Sequence, residues 1–318
     1  MNQTIEGNAP RALLEWIVAR SFFPIVLGGA LIWAIAEIES GVAPARAIGL
    51  PTLLSYFIIA SAERLFYWES DWLHSKGDLK VDIGHLLVSG LLTIQLLEVP
   101  IRLGAIALSS WLAGGIGRGI WPTEWALWTQ LGLALVVGEF FLYWIHRLTH
   151  EFDWLWRFHA MHHSAPRLYF LNAVRFHPVD IAFSSFSPMI PLLLLGADDR
   201  LIALFGLSSA VIGLFQHANV LLRHGPLNWI ISTAELHRWH HSRRFEESNT
   251  NFGQNLILWD IVFGTRYLPA DREPPREIGI VGLSTFPMDY WGQLMSPLRW
   301  KAIRASSERQ MPQSLESR

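Results

Sequence analysis

Three histidine clusters are the residues best equipped for chemistry in this chain: His146-Arg-Leu-Thr-His150, His159-Ala-Met-His162-His163 and His237-Arg-Trp-His240-His241. On a helix, residues three or four apart share a face. His146 and His150 therefore point the same way, His159 pairs with His162 and His163, and His237 pairs with His240 and His241. Each cluster is expected to present two or three imidazoles to one point. Eight imidazoles exceed what one metal takes, since zinc binds four ligands and non-haem iron commonly five or six. Eight or more suit a pair of metals. Imidazole accepts zinc, copper, iron and nickel alike, so ligand type alone leaves the metal open.

The chain has thirteen histidines and no cysteine, which excludes disulfides, cysteine-ligated zinc, iron–sulfur clusters and thiol nucleophiles. His217 is a further expected ligand. His177, in Arg175-Phe176-His177-Pro178, is expected to serve a structural or supporting role. His74, His85 and His224 lie farther from the clusters in sequence. A metal-bound imidazole usually gives its other N–H to a carboxylate or carbonyl. Glu139, two helical turns before His146, is the first candidate acceptor, because an acid inside an apolar span is costly unless paired. Asp153, Asp180, Glu235 and Asp260 are others. Arg167, Arg175, Arg243 and Arg244 are candidates for binding a lipid phosphate or an acidic electron donor. No His-Glu-x-x-His pattern is present, which weighs against metal-assisted hydrolysis.

The elements that must position these residues are apolar. Half of the chain is hydrophobic (51%) and only 16% is charged, against about a quarter in soluble domains. Mean hydropathy is +0.26, and the 16 Trp and 18 Phe fit membrane–water interfaces. A net charge of −2 offers no basic field for nucleic acid. Uncharged stretches at 21–36, 47–62, 83–108 and 125–145 are candidate spans, the third carrying Glu98 and Arg102. The first two are short for a bilayer core, which asks for roughly 20 residues. Two further runs, 181–197 and 201–222, flank Gly196-Ala197-Asp198-Asp199-Arg200 and form a helical hairpin that returns the chain to the side it left. Residues 1–20 lack a signal-peptide pattern, so insertion falls to the internal segments. With a cytoplasmic N-terminus, the outer loops 37–46 and 109–124 hold one Arg each, Arg46 and Arg118. Arg147, Arg157, Arg167, Arg175, Arg238, Arg243 and Arg244 then lie inside, with every histidine cluster. The polar tail after Lys301 has the composition of a disordered segment.

The expected fold is thus an all-α integral membrane protein: about four transmembrane helices plus a re-entrant hairpin, with a cytoplasmic helical cap carrying a histidine-rich di-metal site. Residues 1–75 form N-terminal membrane segments, 76–270 a catalytic domain and 271–318 a polar, partly disordered C-terminal segment.

The order and spacing of the clusters resemble the fatty acid hydroxylase/sterol desaturase superfamily. So do their flanks: Trp154-Leu-Trp156-Arg157-Phe158, Asn172-Ala-Val-Arg175-Phe176-His177-Pro178, Asn251-Phe252-Gly253 and Trp259-Asp260-Ile-Val-Phe263-Gly264-Thr265. The likeness covers roughly residues 80–270, and within the superfamily it is nearest to alkylglycerol monooxygenase-like proteins and bacterial lipid hydroxylases. Some members carry a further histidine pair before the third cluster; here His217 and His224 stand seven apart. The resemblance implies two irons, held by His146, His150, His159, His162, His163, His237, His240 and His241 with His217. It implies O2 as co-substrate, a membrane lipid or sterol as substrate, and hydroxylation or desaturation of a C–H bond. No electron-carrier motif is present, so the two electrons are expected from a separate cytochrome b5-like protein or a ferredoxin with its reductase. A zinc-dependent membrane hydrolase and a membrane metal transporter or sensor are the alternatives. Transporters hold ligands near the bilayer midplane on broken helices, whereas these clusters lie on polar segments.

Overall fold

The computed structural model describes residues 9–97 and 119–310 and, between them, 100, 103, 104, 107, 108 and 111. Glu98, Arg102, Arg118 and the tail 311–318 lie outside the described residues. Helices α1 (Ala9–Glu39), α2 (Gly49–Leu65) and α3 (Leu79–Gly84) come first, and α3 runs on into a π-helix, His85–Leu92. Next are α4 (Leu127–Glu151) and α5 (Asp153–His163), then the hairpin of α6 (Pro178–Leu195) and α7 (Asp199–His217). Short helices α8 (Ala234–His240), α9 (Leu258–Val262) and α10 (Tyr290–Leu294) precede α11 (Trp300–Gln310). The described residues contain isolated β-bridges but no strand.

Six helices are long and apolar enough to cross a membrane by length and composition: Arg11–Glu39, Pro44–Leu65, Leu79–Leu97, Leu127–Glu151, Pro178–Leu195 and Asp199–His217. The first is longer than the uncharged stretch 21–36, because its helix continues through the flanking Arg20 and Glu37. Pro24, Pro188 and Pro191 sit inside helices, as apolar spans packed on neighbours tolerate.

α7 is the central element, with 61% of its apolar window buried against 28% for α1. Leu201, Leu204, Leu207, Val211, Leu214 and Phe215 of α7 pack with Phe23, Ala30 and Ala34 of α1, Ile59 of α2 and Leu131 and Ala134 of α4. The hairpin turn follows from its residues. Gly196 adopts φ +101, which a side chain resists, and Asp198 caps α7 by accepting from the Leu201 N–H at 3.1 Å.

Composition points to disorder after Lys301, but residues 300–310 are helical. Trp300 and Ile303 bury against Ala160, Met161, Leu283 and Phe286, and the Trp300 indole donates to Asp153 at 3.0 Å. Burial of two large side chains outweighs a polar local sequence. α10 ties down the end of α3: His85 is buried, with Nε2 2.9 Å from Gln293 Oε1 and Nδ1 3.1 Å from Ser89 of its own helix.

Candidate metal centre

α4 ends with His146 and His150 on one face, and α5 turns back beneath it. α7 delivers His217 at its last residue, and α8 brings the third cluster. All nine predicted ligands meet. They form two groups: His146, His150, His159, His163 and His240 in one, His162, His217, His237 and His241 in the other. Within each group one nitrogen per ring lies within 4.8 Å of all the others. Nitrogens bonded to one metal at about 2.1 Å are at most about 4.2 Å apart, so each group is only slightly wider than one coordination shell.

The expectation that each cluster aims at one point is corrected here. His159 and His163, four apart, face the first group while His162 faces the second; His237 and His241 face the second while His240 faces the first. Positions i and i+4 share a face, and i+3 is rotated from i+4 by about 100°. A His-x-x-His-His run therefore divides between two centres. The centres adjoin, with the rings of His163 and His241 stacked at 4.5 Å.

Hydrogen bonds fix several tautomers. Nδ1–H of His159 donates to Asp180 Oδ2 at 2.8 Å, that of His146 to the Phe252 carbonyl at 2.6 Å, and that of His240 to the Thr250 carbonyl at 2.7 Å. His217 Nδ1–H donates at 2.8 Å to Asn172 Oδ1, whose own amide donates to the Arg167 carbonyl. With both Nδ1 protons committed outward, the Nε2 lone pairs of His146 and His159 face each other at 3.2 Å. Nε2 of His237 lies 3.0 Å from both His217 Nε2 and His241 Nε2. Nε2 of His150, His163 and His240 is buried with no partner. Opposed buried lone pairs repel, and a cation between them removes the penalty. Burial, reinforced by neighbouring imidazoles, holds His162, His163, His237, His240 and His241 well below the usual imidazole range, so they are neutral and able to ligate.

The other four histidines stand apart. His177 caps α6, its Nδ1 accepting from Val179 N–H at 3.1 Å, and reaches the Leu294 carbonyl at 3.2 Å. His224 pairs with Glu235 at 2.9 Å, His85 is held by Ser89 and Gln293, and His74 is exposed.

Of the acids considered, Asp180 alone bonds a clustered histidine among the described residues. Glu139 instead accepts two backbone N–H groups, Gln254 at 2.5 Å and Asn255 at 2.8 Å. Asp260 accepts from Phe252 and Gly253 N–H at 2.8 and 2.7 Å. These two carboxylates lock the loop 252–255 that offers the Phe252 carbonyl to His146. Gly253 is required there, since a Cβ would overlap the Leu256 carbonyl and lie 2.9 Å from Asp260 Oδ2. Asp153 and Glu235 serve Trp300 and His224 respectively. Arg167 and Arg175 do not fit the role of lipid-phosphate ligands: both are buried, 2.7 Å from Asp78 and 2.6 Å from Asp82. Arg243 and Arg244 are exposed.

Three partly overlooked groups wall the centre. Phe176 stacks on His162 at 4.3 Å, Phe252 meets the edges of His146, His150 and His240, and Trp156 lies 5.0 and 5.3 Å from the rings of His150 and His163. Backbone acceptors such as Phe252 and Thr250 leave no mark in residue type. The signal for them was the non-apolar text around Asn172 and Asn251-Phe252-Gly253.

Comparison with known proteins gives this arrangement a lineage. The Fatty acid hydroxylase family model matches residues 131–265, which hold all nine clustered histidines. An ornithine lipid hydroxylase of Rhizobium tropici is 43% identical over 230 residues, 71% of this chain and 68% of that protein. An alkylglycerol monooxygenase of Xenopus tropicalis is 31% identical over 46% of this chain, and a putative Delta(7)-sterol-C5(6)-desaturase of Arabidopsis thaliana is 29% identical, also over 46%. These matches span 31% and 52% of those two relatives. No solved structure matches. With the first relative similar across two thirds of its length and the family model laid over the histidine-bearing helices, this chain belongs to the fatty acid hydroxylase/sterol desaturase superfamily.

Proposed function

We propose that the protein is a membrane lipid hydroxylase that uses O2 and two external electrons at a pair of irons. The observation that carries the reading is the division of nine imidazoles, eight of them buried, into two groups of about shell size, with lone pairs opposed between His146 and His159. His146, His150, His159, His163 and His240 would hold one iron, and His162, His217, His237 and His241 the other. When bound, the irons supply O2 activation. The overall reaction is R–H + O2 + 2 e⁻ + 2 H⁺ → R–OH + H2O; desaturation would take a second hydrogen from the adjacent carbon instead of returning oxygen.

The residues of this chain do the rest. Asp180, Asn172 and the carbonyls of Phe252 and Thr250 hold Nδ1 protons, so the opposite nitrogens of those rings face inward. Phe176, Phe252 and Trp156 keep water from the rings they cover. The apolar helices make a membrane lipid the fitting substrate, and the Rhizobium relative makes an ornithine lipid the first to test. The positive-inside bias puts the centre on the cytoplasmic side, above four spans with α6–α7 as a re-entrant hairpin. Residues 76–270 then form the catalytic unit.

Purified protein assayed for metal, for reductant-dependent O2 uptake and for a +16 mass shift in host lipids tests the reading. Iron with O2 uptake and the mass shift is the expected result. Zinc alone, with no O2 uptake under any reductant, would replace it with the hydrolase alternative.

A further inference from the structure

The segment beyond residue 265, outside the stretch the family model matches, exposes apolar side chains. Met288, Trp291, Met295 and Leu298 are all exposed, Trp291 by 68% and Leu298 by 80%. Trp291 and Met295 share a face of α10, and the Met295 N–H donates to the Trp291 carbonyl at 2.9 Å. Leu298 follows one turn later, its N–H on the Met295 carbonyl at 3.2 Å. The opposite face is polar and buried. Gln293 Oε1 accepts from His85 Nε2 at 2.9 Å, and its amide donates to Ser164 Oγ and the Pro287 carbonyl, each at 3.2 Å. The Leu294 carbonyl accepts from His177 Nε2 at 3.2 Å. α10 is thereby clamped to α3, to Ser164 at the end of α5 and to the start of α6.

The height of α10 follows from its contact with α3. Tyr290 packs on Gly84, where a Cβ would lie 2.9 Å from its ring, and that ring is 4.9 Å from the ring of His85. Both residues belong to the apolar helix Leu79–Leu97. Gly84 stands five residues inside its polar end, roughly 7.5 Å of helical rise. A helix lying on a membrane sinks its apolar face about 5–10 Å, so α10 meets α3 at the depth such a helix occupies. The exposed side of α3, with Leu79, Ile83 and Leu87, adjoins this contact. Charge fits the same border. Lys80, Arg299 and Lys301 are exposed and form no ion pair among the described residues. Asp289, the acid of segment 287–301, is spent on capping α10, accepting from the Gly292 N–H at 2.8 Å. Free cations beside an apolar face suit anionic lipid headgroups.

We propose that α10 lies in the membrane surface on the histidine side, with Met288, Trp291, Met295 and Leu298 among the lipids. Seated there, it holds Ser164 and, through it, the end of the second histidine cluster. The occupant of the face is the bilayer rather than a soluble protein, because the face continues the lipid-facing side of an apolar span at interfacial depth. An exposed apolar patch marks an interaction surface, and here the membrane is the surface already at hand. The proposal stands on the membrane-length helices and needs neither metal nor turnover.

The chain has no cysteine, so one introduced cysteine carries one label. Trp291→Cys, Met295→Cys, Leu298→Cys and, as a water-side reference, Glu308→Cys would each bear a nitroxide in the full-length protein. All four replace exposed side chains. The vesicles are equal parts phosphatidylcholine and phosphatidylglycerol. Collisions of the label with O2, which concentrates in lipid, are compared with those of a water-soluble nickel chelate. O2 should prevail several-fold at 291, 295 and 298, and nickel at 308. Nickel collisions at 291 and 298 equal to those at 308 put the face in water and overturn the proposal. Exclusion of both reagents overturns it too; dipolar broadening between labels would then identify a second copy of the chain as the cover. The clamp is read by amide hydrogen exchange of residues 159–164 in the same vesicles. Trp291→Asp combined with Leu298→Asp should speed that exchange several-fold. Exchange as in the wild type, with the labels in lipid, cuts α10 from the second cluster and overturns that half of the proposal.

Discussion

At the scale of single residues, the nitrogen opposite the metal matters as much as the one facing it. Asp180 sets His159 by accepting its Nδ1 proton at 2.8 Å, with both groups buried. Replacing Asp180 with Ala should weaken metal retention or activity about 10- to 100-fold, as losing such acceptors commonly does. Metal content after timed exposure to a chelator measures it, and retention equal to wild type would show that Asp180 does not tune His159. The two-group geometry makes a second claim. His162→Ala and His240→Ala remove one ligand from different groups, so each should lower bound metal, while His74→Ala, at an exposed ring, should leave it unchanged. Elemental analysis of the three proteins decides, and full metal in His162→Ala would remove that residue from the site. The eight imidazoles of the three clusters were legible in the sequence, because helical spacing marks a shared face, and His217 was read from its place at the end of the apolar hairpin. Their division into five and four was not, because a His-x-x-His-His run fits one centre or two until its helix is placed between them.

At the scale of elements, the centre depends on a loop that contributes no imidazole. Residues 252–255 are held by Glu139 from α4 and by Asp260 from α9, and the loop in turn presents the Phe252 carbonyl to His146. Glu139→Gln keeps the shape but has one acceptor oxygen, so either Gln254 or Asn255 N–H must face an amide –NH2. A buried donor left without an acceptor costs about 1–3 kcal/mol. A lower thermal midpoint and less metal are expected, read by thermal unfolding in detergent beside elemental analysis; a midpoint equal to wild type would mean the loop holds without the carboxylate. The sequence located Glu139 as an acid that needs a partner but misassigned the partner. Two helical turns along α4 put it on the same face as His146 but about 10 Å away, and only the fold shows the backbone N–H groups that meet it there. The helix at 300–310 escaped the sequence reading for a related reason. Trp300 and Ile303 look isolated among Ser, Arg and Glu, and their burial against Ala160 and Met161 depends on a contact some 140 residues away.

At the scale of the whole molecule, two helical pairs brought together from distant parts of the chain form a single centre. α4 and α5 supply His146 through His163, and α7 and α8 supply His217 through His241. Apolar runs were enough to mark six apolar helices, the last two of them joined by a tight turn. The pairing of the halves was not legible, because it rests on packing such as that of Leu131 and Ala134 with Leu201 and Leu204. This assembly brings imidazole nitrogens within 3.0–3.2 Å of one another, as between His146 and His159, whose lone pairs are opposed, and between His217 and His237. Without cations that closeness opposes folding of both halves at once. Bound metal should therefore stabilise the whole protein, by about 2.7 kcal/mol per site when free metal is a hundredfold above its Kd. Stripping metal with a chelator should lower the thermal midpoint, and protease should cut first in the segments joining the histidine-bearing helices. Adding back Zn²⁺ or Fe²⁺ should restore the midpoint, since imidazole accepts both, but only Fe²⁺ should restore O2 uptake. A midpoint unmoved by verified metal loss would mean that the apolar helices alone hold the halves together. The nine imidazoles would then be a site the fold tolerates rather than one that helps assemble it.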